Sequence, residues 1–340
     1  MSAPSSPPTL PAVVYHDPGW YARERDAIFA TTWQLAGFRA QLRASGDLVT
    51  HTVAGWPVLV LVDADGELRA FHNVCRHRAG PLAESDRTGC SALVCGYHGW
   101  TYALDGTLTR ARDFGSAADF DPAEYGLLPL AVDEWRGLVF VRVAPTGPTL
   151  AESLGGIVAR CADRPMETLH YGHRAEHVVE CNWKTYTDNY AEGYHVPFVH
   201  PGLHRQIDSR RYEVLVQDGW AEHRAPTRDG AVSAGLWLWS YPNLGLNLYP
   251  DAMNVERWIP EGPTRTRIIY DFFFADPAAA GANAAVESLG TEVLDEDRRV
   301  CEAVQRNLEA GVYDVGRLSP HHEGCVAAFH QWVRAAVGET

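Results

Sequence analysis

Two short stretches each place a thiol and an imidazole close together. They are Cys75-Arg-His77 and Cys95-Gly-Tyr-His98, with seventeen residues between them. Four such donors can serve two kinds of centre. A Cys2His2 zinc site groups Cys with Cys and His with His, as C-x2–4-C and H-x3–5-H. Here each loop mixes the two types, which fits a [2Fe–2S] cluster with two thiolates on one iron and two imidazoles on the other. Cys75 and Cys95 are then assigned to the first iron, His77 and His98 to the second. Cys90, Cys161, Cys181, Cys301 and Cys325 lack such partners and read as core thiols.

A second concentration of chemistry is Asn182-Trp-Lys-Thr-Tyr-Thr-Asp-Asn-Tyr-Ala-Glu192-Gly-Tyr-His195-Val-Pro-Phe-Val-His200-Pro201. If 182–195 is helical, Asp188, Glu192 and His195 share a face at i, i+4 and i+7. Pro197 disfavours a helix through Val196, so the chain must bend before His200. Such a bend can return His200 to the site that His195 faces. Two imidazoles with one carboxylate and open positions form the facial triad of non-haem Fe(II) oxygenases. The plainer alternative is two ordinary histidines, one paired with Glu192. The mixed Cys/His loops favour the triad, because a one-electron carrier needs somewhere to deliver its electrons.

The third ligand must arrive from a distant element. Residues 286–308 read as a helix with an apolar stripe of Val293, Val300 and Val304. Asp297 lies on that stripe, whereas Asp295 and Glu296 point away from it. An inward carboxylate needs a cation or donors to be tolerable, and iron meets that need.

The elements that must position these residues divide the chain in two. Residues 1–14 are Pro/Ser-rich and read as a flexible arm, and 17–30 as a short helix with Phe29 and Trp33 starting a buried face. From 33 onwards come β-branched runs at 49–53, 58–62, 68–71 and 138–143, with hairpin signals at Asp65-Gly66 and Asp105-Gly106. Pro145-Thr-Gly-Pro148 supplies a linker. Beyond it come a helix at 181–192 and strands within 212–275, notably 236–241 and 267–274. A loose Ala/Gly segment at 278–283 precedes the helix at 286–308. The expected division is an arm and short helix (1–32), an antiparallel β domain (33–147) and an α+β domain (148–340).

Composition narrows the class. The 340 residues carry 29 basic and 43 acidic side chains, a formal charge of −14, with no basic run, so a nucleic-acid partner is not expected. No apolar run approaches the ~18 residues of a membrane span. The seven cysteines are odd in number and no secretory signal is read at the N-terminus, which suits a reduced, cytoplasmic protein. No G-x-G-x-x-G follows a strand, so a nicotinamide-dependent reductase must be separate.

Cys75-Arg-His-Arg-Ala-Gly-Pro-Leu82 and Cys95-Gly-Tyr-His-Gly-Trp-Thr-Tyr102 resemble the cluster loops of Rieske non-haem iron oxygenases, the α subunits of ring-hydroxylating and related enzymes. The resemblance runs from about Trp33 to about Trp332. Gly96 departs from it, standing where the family commonly has Pro. The resemblance implies a Rieske domain followed by a helix-grip (START-like) catalytic domain, with one [2Fe–2S] cluster and one mononuclear Fe(II) per chain. It makes His195 and His200 iron ligands. The text Asp295-Glu-Asp-Arg-Arg-Val-Cys-Glu-Ala-Val-Gln305 resembles the family's ligand-bearing segment and selects Asp297. Glu192 takes the place of the acid that links the two centres across a subunit boundary, with Asp188 as the competing candidate. A homotrimer and a separate NAD(P)H-dependent reductase, with or without a ferredoxin, are further implications.

Glu at the bridge looks more like the carnitine- and choline-type monooxygenases than the ring dioxygenases. Trp237, Trp239 and Tyr241 alternate along a strand and so share a face. They can cage a quaternary ammonium group through cation–π contacts, or simply pack against the C-terminal helix. The expected activity is hydroxylation or oxidative demethylation of a small organic substrate, with a quaternary ammonium compound preferred. Aromatic ring cis-dihydroxylation is the alternative, and a Rieske electron carrier without oxygenase activity is the alternative of another class.

Overall fold

The computed structural model describes residues 6–228, 231 and 235–339. The first five positions of the expected arm lie outside the described residues, as do 229–230 and 232–234 of the expected strand region. The chain forms two compact units, Phe29–Leu150 on one hand and Met1–Ile28 with Ala151–Thr340 on the other.

In the first unit a six-stranded antiparallel sheet runs in the order Gln34–Phe38, Leu138–Arg142, Pro129–Trp135, Leu68–His72, Trp56–Val62 and Leu48–Val53. Each β-branched run anticipated from the sequence is a strand here. Asp65-Gly66 turns the chain between two of them, and Asp63 Oδ1 accepts from the amides of Asp65 and Glu67 to fix that turn. A small sheet of Leu93–Val94, Thr101–Tyr102 and Leu108–Arg110 carries the second Cys/His loop at its first hairpin. Cys75 and Cys95 sit in one core with Leu59, Leu61, Phe71, Leu93 and Tyr102, so both thiols are removed from water.

The second unit is built on a seven-stranded antiparallel sheet. Its order is His170–Val179, Arg265–Phe274, Ala252–Gly262, Leu244–Leu248, Leu236–Ser240, Trp220–Arg224 and Glu213–Gln217. Helices Trp183–Tyr190, Ala280–Glu309 and Gly324–Val337 belong to the same unit. The last but one starts at Ala280, inside the segment expected to be loose. Its alanines are strong helix formers, and one Gly costs too little to stop it.

The stripe of that helix differs from the expected one. Its buried residues are Leu294, Asp297, Cys301, Gln305 and Leu308, while Val304 is largely exposed. The face is rotated because Gln305 is polar yet required inside: its carbonyl accepts from Asn182 N–H at 2.9 Å, and its amide donates to Tyr15 O at 3.1 Å. Apolarity alone cannot find such a face.

The N-terminal segment is no free arm over its described part. Leu10 is buried, Pro8 bridges to Arg317, and Thr9 N–H donates to Gly316 O at 3.2 Å. The expected short helix is Pro18–Glu24, capped by Asp17, followed by a wider turn over Arg25–Phe29. Glu24, fully buried, accepts from Trp20 Nε1 at 2.7 Å and Trp183 Nε1 at 2.8 Å. It also pairs with the buried Lys184 Nζ at 2.6 Å. Burial lowers the Lys184 pKa, and the Glu24 charge opposes that shift.

This pair clamps the N-terminal helix to the helix that leads to His195. Among the described residues no helix is long and apolar enough to cross a membrane. Removing one member of a buried pair strands the other charge. Glu24→Gln or Lys184→Met should each cost roughly 3–5 kcal/mol, read as a lower urea midpoint for the second unit. An unchanged midpoint would show that the pair does not clamp these helices.

Candidate metal centres and substrate cavity

The first Cys/His loop follows strand Leu68–His72, and Asn73 shapes it. Its Oδ1 accepts from the amides of Leu82 and Ala83 at 2.9 and 3.1 Å, and its Nδ2 donates to Ala83 O at 2.6 Å. Tyr102, just after the second loop, reaches the first: its Oη lies 3.2 Å from Cys75 Sγ and accepts from Arg76 N–H at 3.0 Å. Cys75 and Cys95 are each 2% exposed, while His77 and His98 are only partly buried.

The two imidazoles meet edge to face at 4.6 Å, and His77 stacks on Trp100 at 4.8 Å. His77 Nδ1 is buried without a hydrogen-bond partner. An orphaned imidazole nitrogen beside two core thiols is what a mixed-ligand cluster would satisfy.

Gly96 turns out to be permissive. A Cβ there would meet nothing within 4 Å, so the loop does not depend on Gly. The demanding glycine is Gly80, where a Cβ would lie 2.9 Å from Cys95 Sγ.

The second centre is made by a helix that stops early. Helix Trp183–Tyr190 is capped by Asn182, whose side chain accepts from Lys184 N–H, and it ends before Glu192. Asp188, Glu192 and His195 therefore do not share one helical face as expected. Two short helices follow, Val196–Val199 and Pro201–Gln206, each with Pro in its first turn and with His200 between them. That double break returns His200 to His195.

His195 Nε2 and His200 Nε2 are 3.0 Å apart, and Asp297 Oδ1 is 3.8 Å from the first and 3.0 Å from the second. Each imidazole is held at its other nitrogen. Glu192 Oε1 is 2.5 Å from His195 Nδ1, and Glu296 Oε2 is 2.7 Å from His200 Nδ1. Carboxylates only accept, so both Nδ1 atoms must donate, and neutral rings then turn Nε2 lone pairs inward. With Asp297 Oδ1, three acceptors converge on one point.

A divalent cation relieves that convergence, and two nitrogens with one carboxylate oxygen suit non-haem iron. Burial works against charging His200, but the Asp297 and Glu296 carboxylates outweigh it and raise its pKa. Asn189 Nδ2 donates to Asp297 Oδ1 at 2.6 Å and helps fix the carboxylate.

Glu296 corrects the sequence reading, which turned it away from the site. The shifted helix face brings it round to His200 instead. Asp188 has other partners, accepting from Tyr15 Oη at 2.6 Å and pairing with His330 Nε2 at 2.8 Å. Glu192 is thus the carboxylate at His195.

Beside the triad lies a cavity of about 140 Å³, walled by Tyr186, Tyr190, Tyr212, Trp237, Tyr249 and Tyr270, with Asn247, Asn254, His223 and Glu256 among its polar groups. Trp237 reaches it, but the other two aromatics of that strand face do not. Trp239 packs on Phe329 and Trp332, and Tyr241 on the same pair, so they lie under the C-terminal helix. Burial and then the Glu256 charge push the phenols of Tyr186, Tyr190 and Tyr270 well above their ordinary value, so they remain donors. Burial raises Glu256 to about 7, against the hydrogen bonds from Tyr186 and Tyr270 that lower it.

Comparison with known proteins finds a Rieske domain followed by a catalytic domain. The Rieske [2Fe-2S] domain family matches residues 32–121, and the Ring hydroxylating alpha subunit (catalytic domain) family matches 166–234 and 212–339. The chloroplastic choline monooxygenase of Arabidopsis thaliana is 34% identical, over 94% of this chain and 82% of its own length. The carnitine monooxygenase oxygenase subunit of Escherichia coli (strain K12) is 28% identical, over 95% of this chain and 90% of its own. A quaternary ammonium Rieske monooxygenase solved with its substrate L-carnitine superimposes with a TM-score of 0.87 at 27% identity, covering 97% of this chain and 96% of the other. Naphthalene 1,2-dioxygenase from Rhodococcus sp., at 19% identity and a TM-score of 0.80 over 98% of this chain and 95% of its own, shares the fold.

Glu296 is the positioning residue that the sequence reading passed over. Glu296→Ala should weaken mononuclear iron binding roughly 10–100-fold. Iron content would then fall from about three towards about two per chain, with about two acid-labile sulfides retained. Full iron retention would show that His200 needs no such support.

Proposed function

We propose, because this chain belongs to the ring-hydroxylating α-subunit family of Rieske oxygenases, that it monooxygenates a small quaternary ammonium compound. Membership makes it an oxidoreductase with a [2Fe–2S] cluster and a mononuclear iron, the catalytic component of a multicomponent oxygenase. When bound, the cluster supplies single electrons and the iron supplies open positions for activating O2. In our reading Cys75, His77, Cys95 and His98 hold the cluster, and His195, His200 and Asp297 hold the iron.

The observation that carries the substrate reading is the cavity beside the triad. Its aromatic walls offer electron-rich faces to a cation, and no Lys or Arg is among the described residues that line it. Relatives named as choline and carnitine monooxygenases support the same reading. An aromatic hydrocarbon would fit the rings but leave Glu256, Asn247 and Asn254 facing an apolar guest.

The residues of the chain divide the work. The rings bind and orient the cationic head and exclude water from it. Glu192 and Glu296 hold the Nδ1 protons of His195 and His200 and so keep both Nε2 atoms turned inward. Glu192 is also our candidate for the link through which electrons arrive. In a homotrimer, the assembly we favour, they come from the cluster of a neighbouring protomer. A separate NAD(P)H-dependent reductase is the donor we expect.

The test is turnover of the holoenzyme with NADH, O2 and a reductase, on trimethylammonium compounds and on aromatic acids and hydrocarbons. Oxidation of a trimethylammonium compound is expected, with loss of turnover in His195→Ala. A cis-diol from an aromatic ring, with no amine oxidised, would overturn the reading.

A further inference from the structure

We propose that Glu256 is the counter-ion that selects the substrate's cationic head, and that the site takes cations bearing no carboxylate of their own. The proposal rests on the reading of the cavity as a quaternary ammonium site and adds what discriminates within that class.

Strand Ala252–Gly262 sends neighbouring residues to opposite faces. Arg257 pairs with Asp271 Oδ2 at 2.5 Å, whereas Glu256 lines the cavity and is 2% exposed. Tyr186 Oη donates to Glu256 Oε1 at 2.6 Å, and Tyr270 lies directly across the ladder. These phenols hydrogen-bond the carboxylate but carry no positive charge. Among the described residues no Lys, Arg or His forms an ion pair with Glu256, and no Lys or Arg lines the cavity. His223 does line it, but burial pushes its pKa down to about 4, so it is neutral. The sequence at 229–230 and 232–234 is Asp, Gly, Val, Ser and Ala, which adds no basic group.

Burial keeps Glu256 partly protonated in the empty cavity, and an entering ammonium beside it favours the ionised carboxylate. Opposite Glu256 stands Gly245, where a Cβ would meet Tyr190 Oη at 2.6 Å. The same Cβ would lie 3.4 Å from Glu256 Cβ, so its absence leaves room for the Tyr190 phenol beside Glu256, where ring and charge can meet one cationic head together. A ligand that also carries a carboxylate would bring another anion beside Glu256 and Asp297. No guanidinium or ammonium is there to receive it.

Equilibrium binding to anaerobic holoenzyme tests this, using choline, its neutral isostere 3,3-dimethylbutan-1-ol, and carnitine. Wild type should prefer choline to either ligand by roughly 30-fold or more. Glu256→Gln should erase the preference over the isostere by weakening choline alone, and Glu256→Asp should keep part of it. If wild type binds choline no better than the isostere, the cation reading of the cavity fails. If wild type prefers choline and Glu256→Gln keeps that preference, only the role of Glu256 is overturned. Carnitine binding as tightly as choline in wild type would overturn the exclusion of carboxylates, a result that needs no variant to fold.

Discussion

Two imidazole nitrogens and a carboxylate oxygen converge within 3.8 Å of one another, all of them acceptors while both rings are neutral. They are acceptors because Glu192 and Glu296 each accept a hydrogen bond from the Nδ1–H of a histidine, which leaves Nε2 of the neutral ring without a proton. Without those two carboxylates either ring could flip, protonate, or pair locally, and the convergence would dissolve. The remaining architecture of the catalytic unit serves to hold five side chains from three segments in that relation.

The scaffold does so by ending helices in the right places. Helix Trp183–Tyr190 is anchored at its start, where Asn182 meets Gln305 and Lys184 meets Glu24. It stops before Glu192, which frees that residue to turn back on His195. The prolines at 197 and 201 then restart the chain twice, so His200 points where a continuous helix could not send it. Gln305 ties the same helix to Ala280–Glu309, and that contact sets the rotation which brings both Glu296 and Asp297 to the histidines.

Much of this was legible in the residues. The Cys/His loops stood out because mixed donors at short spacing have few structural uses. The β-branched runs and Asp-Gly turns marked the strands around them. His195, His200 and Asp297 could be named from donor chemistry and resemblance. What could not be read depended on polar residues being buried for tertiary reasons. Gln305 is one, since its placement rotates a helix whose valines suggest a different face. Glu24 is another, and Glu296, only half-buried, is turned in by His200. Each looks like an ordinary surface acid until its partner, distant in sequence, is known. The strand aromatics show the same limit: Trp237, Trp239 and Tyr241 share a face, yet only the first reaches the cavity, because the C-terminal helix covers the other two.

In the proposed mechanism the hydrogen bond between Glu192 and His195 both orients an iron ligand and receives electrons. The direct measurement is a single turnover of Glu192→Gln holoenzyme with its cluster reduced beforehand, following cluster reoxidation after substrate and O2 are added. Expected are normal iron and sulfide content and reoxidation slowed roughly 10–100-fold. Reoxidation at the wild-type rate, or loss of the cluster's absorbance, would contradict the role given to Glu192.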